Sequence, residues 1–299
     1  MNYAFSKDIG GRAEQQDSVG IFRLRQQTFM VVADGMGGHK GGALASSILL
    51  KIAENQFLFK NNSIDESPQK FFSKIITETQ NELKVLTSDD HSIDPNTTVV
   101  FALIIKKMLY YAYIGDSRLY LFEENDGLIF RTRDHSLPEM LFQDKQISEE
   151  EISTHSQQNV LTKSIGVESI DHAEYGEIQL KSSKNYHLLL ASDGLWAMIS
   201  EKELDKELFS NYSTELITKK LLNIAKHRGG NNGDNISLAL LSIKKKKSQY
   251  LYYGSIFSLF MCLSIALYFF EHSSFCQQEN NQTENNKSKT ENTINWTTG

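Results

Sequence analysis

The chain has 299 residues, of which 40% are hydrophobic, so it can bury a sizeable core and wholesale disorder is excluded. Its formal net charge of −6 lacks the basic excess of a nucleic-acid-binding protein, and no nucleic acid is expected as a partner. Two cysteines, Cys262 and Cys276, are too few for a disulfide framework or a thiolate zinc cluster. Any metal must therefore use oxygen or imidazole ligands.

Short apolar segments bounded by turn residues predict at least eight strands. They lie at 19–24, 28–33, 98–105, 109–114, 119–122, 128–131, 186–191 and 236–243. Helices are predicted at 42–59, 69–86, 149–153, 200–208 and 214–227, with Ser200 and Glu203 spaced as a capping box. Links such as 106–108 are too short for parallel crossovers, so we expect largely antiparallel sheets with helices packed outside in a layered sandwich.

The C-terminal part of the sequence predicts a membrane anchor. Residues 250–270 are uncharged and would rise about 30 Å as a helix, the thickness of a bilayer's hydrocarbon core. A buried core helix is the alternative, but such helices are usually shorter and interrupted by polar residues. The basic juxtamembrane segment 244–249 opens with four lysines, so the positive-inside bias predicts a single-pass membrane protein with residues 1–243 in the cytoplasm. The polar tail 271–299 is expected to be disordered and outside, and Met1–Gly10 contains no secretory signal.

Four aspartates lie where apolar strands end or begin: Asp34, Asp116, Asp193 and Asp234. Strand tips share the edges of a sheet, so carboxylates distant in sequence can converge there. Clustered carboxylates repel one another unless cations lie between them, and oxygen ligands favour Mg²⁺ or Mn²⁺. Any one of these Asp-Gly or Gly-Asp pairs is, by itself, more often an ordinary turn. Together they predict a two-metal centre at a sheet edge.

The glycine run 34–42 follows a strand and opens a helix, as nucleotide-binding loops do. Its spacing matches neither GxGxxG nor GxxxxGK[ST], and an aspartate at its head would repel phosphate unless a cation intervened. So much glycine indicates close approach of the backbone to another group, and the dinucleotide interpretation is not favoured.

Eight short motifs occur in order along residues 3–243. They are Arg12-x-x-x-Gln16-Asp17, Asp34-Gly35-Met36-Gly37-Gly38-His39, Thr97-Thr98, Gly115-Asp116-Ser117-Arg118, Asp134-His135-Ser136, Leu161-Thr162-Lys163-Ser164-Ile165-Gly166, Ser192-Asp193-Gly194-Leu195-Trp196 and Gly233-Asp234-Asn235-Ile236-Ser237. Together they resemble the metal-dependent protein phosphatase family of protein phosphatase 2C type, most closely its bacterial serine/threonine phosphatases. The resemblance implies an α+β fold for residues 1–243: an α-β-β-α sandwich of two mainly antiparallel sheets flanked by helices.

The resemblance also implies a set of metal ligands for two Mn²⁺ or Mg²⁺ ions and a weaker third. Asp34 would bridge the two ions, and the carbonyl of Gly35 would bind one of them. Asp193 and Asp234 would hold the other ion. Two further aspartates complete the set: Asp17, acting through bound water, and Asp116, holding the third ion.

The activity implied is hydrolysis of phosphoserine and phosphothreonine in proteins by a metal-bridging water. Arg12 corresponds to the arginine that binds the substrate phosphate, and its planar fork suits phosphate oxygens. His39 is a candidate for the acid that protonates the leaving group, with His155 in competition, whereas His135 is expected to be structural. The implied partners are phosphorylated proteins and an opposing serine/threonine kinase, with a monomeric catalytic domain.

Some positions depart from the family pattern. Gln15, Asn96 and Lys163 stand where the family usually has Asn, Gly and Arg, which leaves the local geometry at these support positions open. Residues 137–158 correspond to the flap that borders the site, and their polarity predicts a mobile surface segment. Two other functions compete: a catalytically silent phosphoprotein-binding module of the same fold, and a two-metal nuclease, which the acidic net charge disfavours.

Overall fold

The computed structural model describes residues 2–60, 64, 67–89, 92–166, 173–245, 261–265 and 268. The chain divides into two compact units, Met1–Lys245 and Lys246–Gly299. In the second unit, residues 261–265 and 268 are helical. Within the described part of the chain, no helix combines the length and apolarity needed to cross a bilayer. Most of the predicted span 250–270 and all of the tail 271–299 lie outside the described residues, so both stay predictions.

Twelve strands occur in the described residues. In chain order they are β1 (Asn2–Asp8), β2 (Ser18–Leu24), β3 (Gln27–Ala33), β4 (Gly35–Met36), β5 (Asn96–Thr97), β6 (Val99–Ile105), β7 (Met108–Ile114), β8 (Arg118–Glu123), β9 (Gly127–Arg131), β10 (Glu174–Gln179), β11 (Tyr186–Ala191) and β12 (Ile236–Ile243). The first sheet has the order β1-β12-β11-β8-β9 and the second β10-β7-β6-β3-β2, while β4 pairs with β5. All of these pairs are antiparallel, as predicted.

The helices flank these sheets. They are α1 (Gly38–Phe59), α2 (Pro68–Asp89), α3 (Leu137–Gln143), α4 (Glu149–Ile152), α5 (Asp193–Trp196), α6 (Glu201–Leu208) and α7 (Thr214–Gly229). The predicted capping box is present at the start of α6, where the backbone N–H of Ser200 donates to the Glu203 carboxylate at 3.1 Å.

Alternating side chains along the strands build three hydrophobic layers. In β3, Phe29 and Val31 pack in the cluster that α1 and α2 cover, while Met30 packs between the two sheets. In β12, Leu240 packs in the cluster beneath α5, α6 and α7, whereas Leu241 joins the layer between the sheets. The α-β-β-α sandwich is therefore confirmed for the described part of the chain.

The segment 137–158, predicted to be a mobile surface segment with a helix at 149–153, contains that helix as α4 and a second helix, α3, which was not predicted. Ile152 in α4 is only 3% exposed. The Arg131 guanidinium in β9 holds Glu149 at 2.6 Å and also lies 3.2 Å from Glu201. Three buried residues, Pro138, Glu139 and Ile152, and the charged contacts of Arg131 hold this segment in place.

Candidate metal centre

A cavity of about 320 Å³ lies at the edge where strands of both sheets end. Asp34 follows β3, Asp116 follows β7, Asp193 opens α5 just after β11, and Asp234 precedes β12. All four line the cavity, together with Arg12. The structure thus brings these residues together from four strand tips, although they span 200 positions from Asp34 to Asp234.

The backbone around Asp34 is fixed by the Thr97-Thr98 pair. The carbonyl oxygen of Asp34 accepts hydrogen bonds from Thr98 N at 2.8 Å and Thr97 Oγ1 at 2.9 Å. Thr98 Oγ1 accepts one from the N–H of Asp34 at 3.1 Å. A Cβ on Gly35 would lie 2.1 Å from the carbonyl oxygen of Gly42, so only glycine lets the loop pack on the first turn of α1.

Asp116 is supported from behind by aromatic and charged side chains. Trp196 Nε1 donates to the carbonyl oxygen of Asp116 at 3.0 Å. The Arg118 guanidinium lies 3.6 Å above the Trp196 ring and forms a bidentate pair with Asp134 at 2.8 and 2.6 Å. His135 Nδ1 accepts a hydrogen bond from Gly115 N, consistent with the structural role expected for it.

Asp17 lies behind the cavity and is only 1% exposed. Its Oδ2 accepts a hydrogen bond from Ser192 Oγ at 2.8 Å. Its Oδ1 and the Oδ1 of Asp193 are buried without a hydrogen-bond partner among the described residues. Buried carboxylate oxygens in this state are costly unless a cation or water reaches them.

The crowding of carboxylates perturbs their protonation. Burial raises the pKa of Asp193 to about 7, and repulsion from Asp234 and Asp17 adds to the shift. Burial raises the pKa of Asp17 to about 6, partly opposed by the Ser192 hydroxyl. The pKa values of Asp34 and Asp116 are also raised well above the usual range, mainly by burial. Such a cluster is stabilised when positive charge enters it.

These donors fit hard divalent cations. The candidate ligand atoms are all oxygens, and two of them are buried without a hydrogen-bond partner in the described part of the chain. The negative charge concentrated in the cavity is stabilised by bound cations. Among the described residues, no group of three or more His, Cys, Asp and Glu side chains forms a ready-made site for one ion. That is compatible with Mg²⁺-like ions, which bind one or two carboxylates and keep several waters.

Arg12 is the cation at the mouth of the cavity. Its side chain is 54% exposed, and its Nη2 donates to Asp234 Oδ2 at 2.6 Å. The segment that carries it is held by Asn235, a residue to which the sequence assigned no role. Asn235 Nδ2 donates to the carbonyls of Ile9 and Glu14 at 2.8 and 3.0 Å, and Asn235 Oδ1 accepts from Gln16 N at 2.7 Å.

Of the two histidines proposed as general acids, only His155 has a described side chain. The side chain of His39 lies outside the described residues. His155 Nδ1 accepts a hydrogen bond from Gln157 N at 3.1 Å, and His155 is not among the described residues that line the cavity. Asn159 and Leu161, which follow the flap, do line it. The sequence did not assign them to the site, although Leu161 opens one of the motifs.

The departures from the family pattern have local partners in the structure. Gln15 Nε2 donates to the carbonyl of Asp8 at 2.9 Å, and Gln15 Oε1 accepts from Asp17 N at 2.8 Å. A Cβ on Gly166 would lie 1.9 Å from Asn96 Oδ1. The glycine at position 166 therefore leaves room for the asparagine side chain at position 96. Lys163 lies 3.6 Å from Glu174.

Comparisons with known proteins agree with this architecture. A family model described as protein phosphatase 2C matches residues 8–227. Protein phosphatase PhpP of Streptococcus pneumoniae serotype 2 is 32% identical over 255 residues, which cover 83% of this chain and 100% of that protein. The S. agalactiae serine/threonine phosphatase structure has 28% identity and a TM-score of 0.71, covering 80% of this chain and 98% of the other. The catalytic domain of the serine/threonine protein phosphatase PstP in complex with 2 manganese ions has 21% identity and a TM-score of 0.66, covering 81% and 98%, and shows the fold alone. This chain therefore belongs to the protein phosphatase 2C family of protein-serine/threonine phosphatases.

Proposed function

We propose that residues 1–243 hydrolyse phosphoserine and phosphothreonine in proteins with two Mn²⁺ or Mg²⁺ ions, and with a third ion bound more weakly. The observation that carries the proposal is the convergence of Asp34, Asp116, Asp193 and Asp234 in one cavity with an exposed arginine at its mouth. A buried cluster of like charges is expensive to keep in a protein that only binds phosphoproteins. That cost favours the enzyme over the catalytically silent alternative.

The residues that would hold the ions are those whose donors face the cavity or lie directly behind it. They are Asp34, the carbonyl of Gly35, Asp193, Asp234, Asp116 and, from behind, Asp17. When bound, the ions would supply Lewis-acid stabilisation of the phosphoryl oxygens and would lower the pKa of water, which makes hydroxide available near neutral pH. The hydrogen bonds from Thr97 and Thr98 hold the backbone of Asp34 in position, so this backbone does not have to rearrange for the reaction.

Arg12 would bind the phosphoryl oxygens of the substrate. Its guanidinium is more than half exposed and is held by Asp234, so it can exchange that carboxylate for a phosphate at the same mouth. A bidentate contact between the Arg12 guanidinium and the phosphoryl oxygens would also stabilise the charge that redistributes in the transition state. Protonation of the leaving oxygen is assigned to His39, and this role stays a prediction.

The decisive experiment measures Mn²⁺-dependent phosphate release from a phosphothreonine peptide by the full chain. We expect Asp193→Asn to lower kcat at least roughly 100-fold, because it removes a carboxylate that would hold one of the ions. Asp144→Asn is the matched control, since Asp144 is exposed at the end of α3, and its kcat should stay within about twofold. Equal activity of the Asp193 variant and the parent would refute the proposed site.

We also propose that a span at 250–270 tethers the phosphatase, with its catalytic unit in the cytoplasm and the tail outside, opposing a membrane-bound or cytosolic kinase. The uncharged segment and the four lysines before it support this topology. Reporters fused after Lys247 and after Gly299 should report opposite sides of the membrane. A cytoplasmic signal from both fusions would refute the membrane tether and would leave the proposed phosphatase activity standing.

A further inference from the structure

The end of the sandwich opposite the acidic cavity is rich in cations. β3, β7 and β11 end at the cavity and β12 begins there, so the opposite ends of these strands define the far side of both sheets. The turns and strand ends on that side carry six exposed cations, which we call the basic end. They are Arg25, Lys106, Lys107, Lys181, Lys244 and Lys245.

Hydrogen bonds connect these segments across the two sheets. Leu180 N, next to Lys181, donates to the carbonyl of Lys107 at 2.8 Å, which joins the segment before β11 to the β6–β7 turn. Lys245 N donates to Asn185 Oδ1 at 2.7 Å, and Asn185 Nδ2 donates to Glu124 at 2.6 Å. The cations of the basic end therefore share one side of the molecule.

The charge of the basic end is not neutralised locally. Three acids lie on that side: Glu123 and Asp126 both pair with a seventh cation, Lys184, and Glu124 accepts a hydrogen bond from Asn185. Among the described residues, none of the six cations of the basic end forms an ion pair with a carboxylate. The chain is acidic overall, at −6, so this local excess of positive charge runs against its composition.

We propose that the basic end lies against an anionic lipid surface, with the acidic cavity directed away from it. The proposal rests on the membrane attachment proposed above, because the sequence continues from Lys245 through two more lysines toward the uncharged segment 250–270. Lysine and arginine side chains close to an anionic leaflet each favour binding to it. The eight residues of β12, at about 3.3 Å each, separate the basic end from the cavity by roughly 26 Å. The substrate is then a phosphorylated segment that stands well clear of the lipid headgroups.

The test uses residues 1–245. They form a compact unit with its own hydrophobic clusters, and the pneumococcal relative is matched over its whole length by a similar stretch of chain. Sedimentation with phosphatidylcholine vesicles containing roughly one-third phosphatidylglycerol should show binding, and pure phosphatidylcholine should not. Reversal of Lys106, Lys107 and Lys181 to Glu should weaken binding at least about tenfold.

A matched variant separates the basic end from net charge. Lys51, Lys74 and Lys84 are exposed on α1 and α2, and their reversal to Glu changes the charge equally. It should alter vesicle binding less than about twofold. Equal weakening by both triple variants, no binding of the parent, or a stronger preference for RNA than for the anionic vesicles would overturn the proposal.

Phosphate release from the phosphothreonine peptide is measured in the same samples. Activity equal to that of the parent shows that both triple variants are folded. If a triple variant does not fold, the single variant Lys181→Glu replaces it, with a smaller expected loss of vesicle binding. A parent that binds anionic vesicles but releases no phosphate would contradict the proposed function and leave the lipid surface standing. A parent that releases phosphate but does not bind the anionic vesicles would contradict the lipid-surface proposal and leave the proposed function standing.

Discussion

Glycine is required at position 35 because of a neighbouring backbone atom and not because of an unusual φ. A Cβ there would lie 2.1 Å from the carbonyl oxygen of Gly42, so Gly35→Ala must push the loop away from α1. We expect the free energy of unfolding to fall by about 1–3 kcal/mol and Mn²⁺-dependent activity to be lost, because the shift moves Asp34. Urea denaturation and peptide dephosphorylation measure the two effects.

Gly229 provides the control for that substitution. A Cβ at this last residue of α7 would meet no atom within 4 Å. Because alanine favours helix over glycine, Gly229→Ala should leave activity unchanged and should not lower stability, with a gain of up to about 1 kcal/mol. Loss of stability in both variants to the same extent would show that close packing at Gly35 is not the cause.

At the scale of elements, His187 makes strand β11 sensitive to pH. The ring is 4% exposed, lies at 3.0 Å from Ser242 Oγ in β12, and meets the edge of Phe209. Burial lowers the pKa of His187 to about 4, with Lys244 adding to the shift. An unfolded histidine titrates near 6.5. The neutral ring therefore stabilises the fold fully above that pH, and the contribution is lost as pH falls toward 4.

The expected size of this effect can be measured by difference. Between pH 7 and pH 5 the parent should lose about 1–2 kcal/mol more of its free energy of unfolding than His187→Gln does, because only the parent carries the buried ring. Urea denaturation at the two pH values provides the numbers. Parallel losses in the two proteins would show that His187 does not titrate with unfolding.

The same strands show what the sequence could predict. β12 was predicted with the bounds Ile236–Ile243 because it is buried on both faces and is therefore mostly apolar. β1 and β10 were not predicted, because they are edge strands with largely exposed, polar side chains. At the cavity, the aspartates were identifiable from their place beside apolar strands. The support from Asn235 was not, because it depends on contact between segments more than 200 residues apart.

At the scale of the whole molecule, the stability of the fold should depend on divalent cations. Mn²⁺ at 100 times its Kd would stabilise the folded state by about 2.7 kcal/mol. For a unit of this size, that corresponds to a rise in Tm of roughly 5–10 °C over the same protein in EDTA. Thermal denaturation of the full chain with and without Mn²⁺ measures the shift.

The variant Asp34→Asn tests whether repulsion between the crowded carboxylates makes the stability of the fold depend on divalent cations. It should raise Tm in EDTA, because repulsion in the cavity falls, and it should shrink the response to Mn²⁺. Asp144→Asn should behave like the parent in both conditions. An unchanged Mn²⁺ response in the Asp34 variant would place the stabilising ion elsewhere.

The position of β12 between β1 and β11 links biosynthesis to activity. Among the strands that the structure describes, β12 is the only neighbour of β1 in the sheet. β1 precedes every other described strand, so its pairing partner is translated only near the end of the catalytic unit. Asp234 lies just before β12, so one segment supplies both the pairing partner of β1 and the last aspartate of the acidic cavity. A chain that ends before β12 therefore lacks both, and we expect it to be inactive.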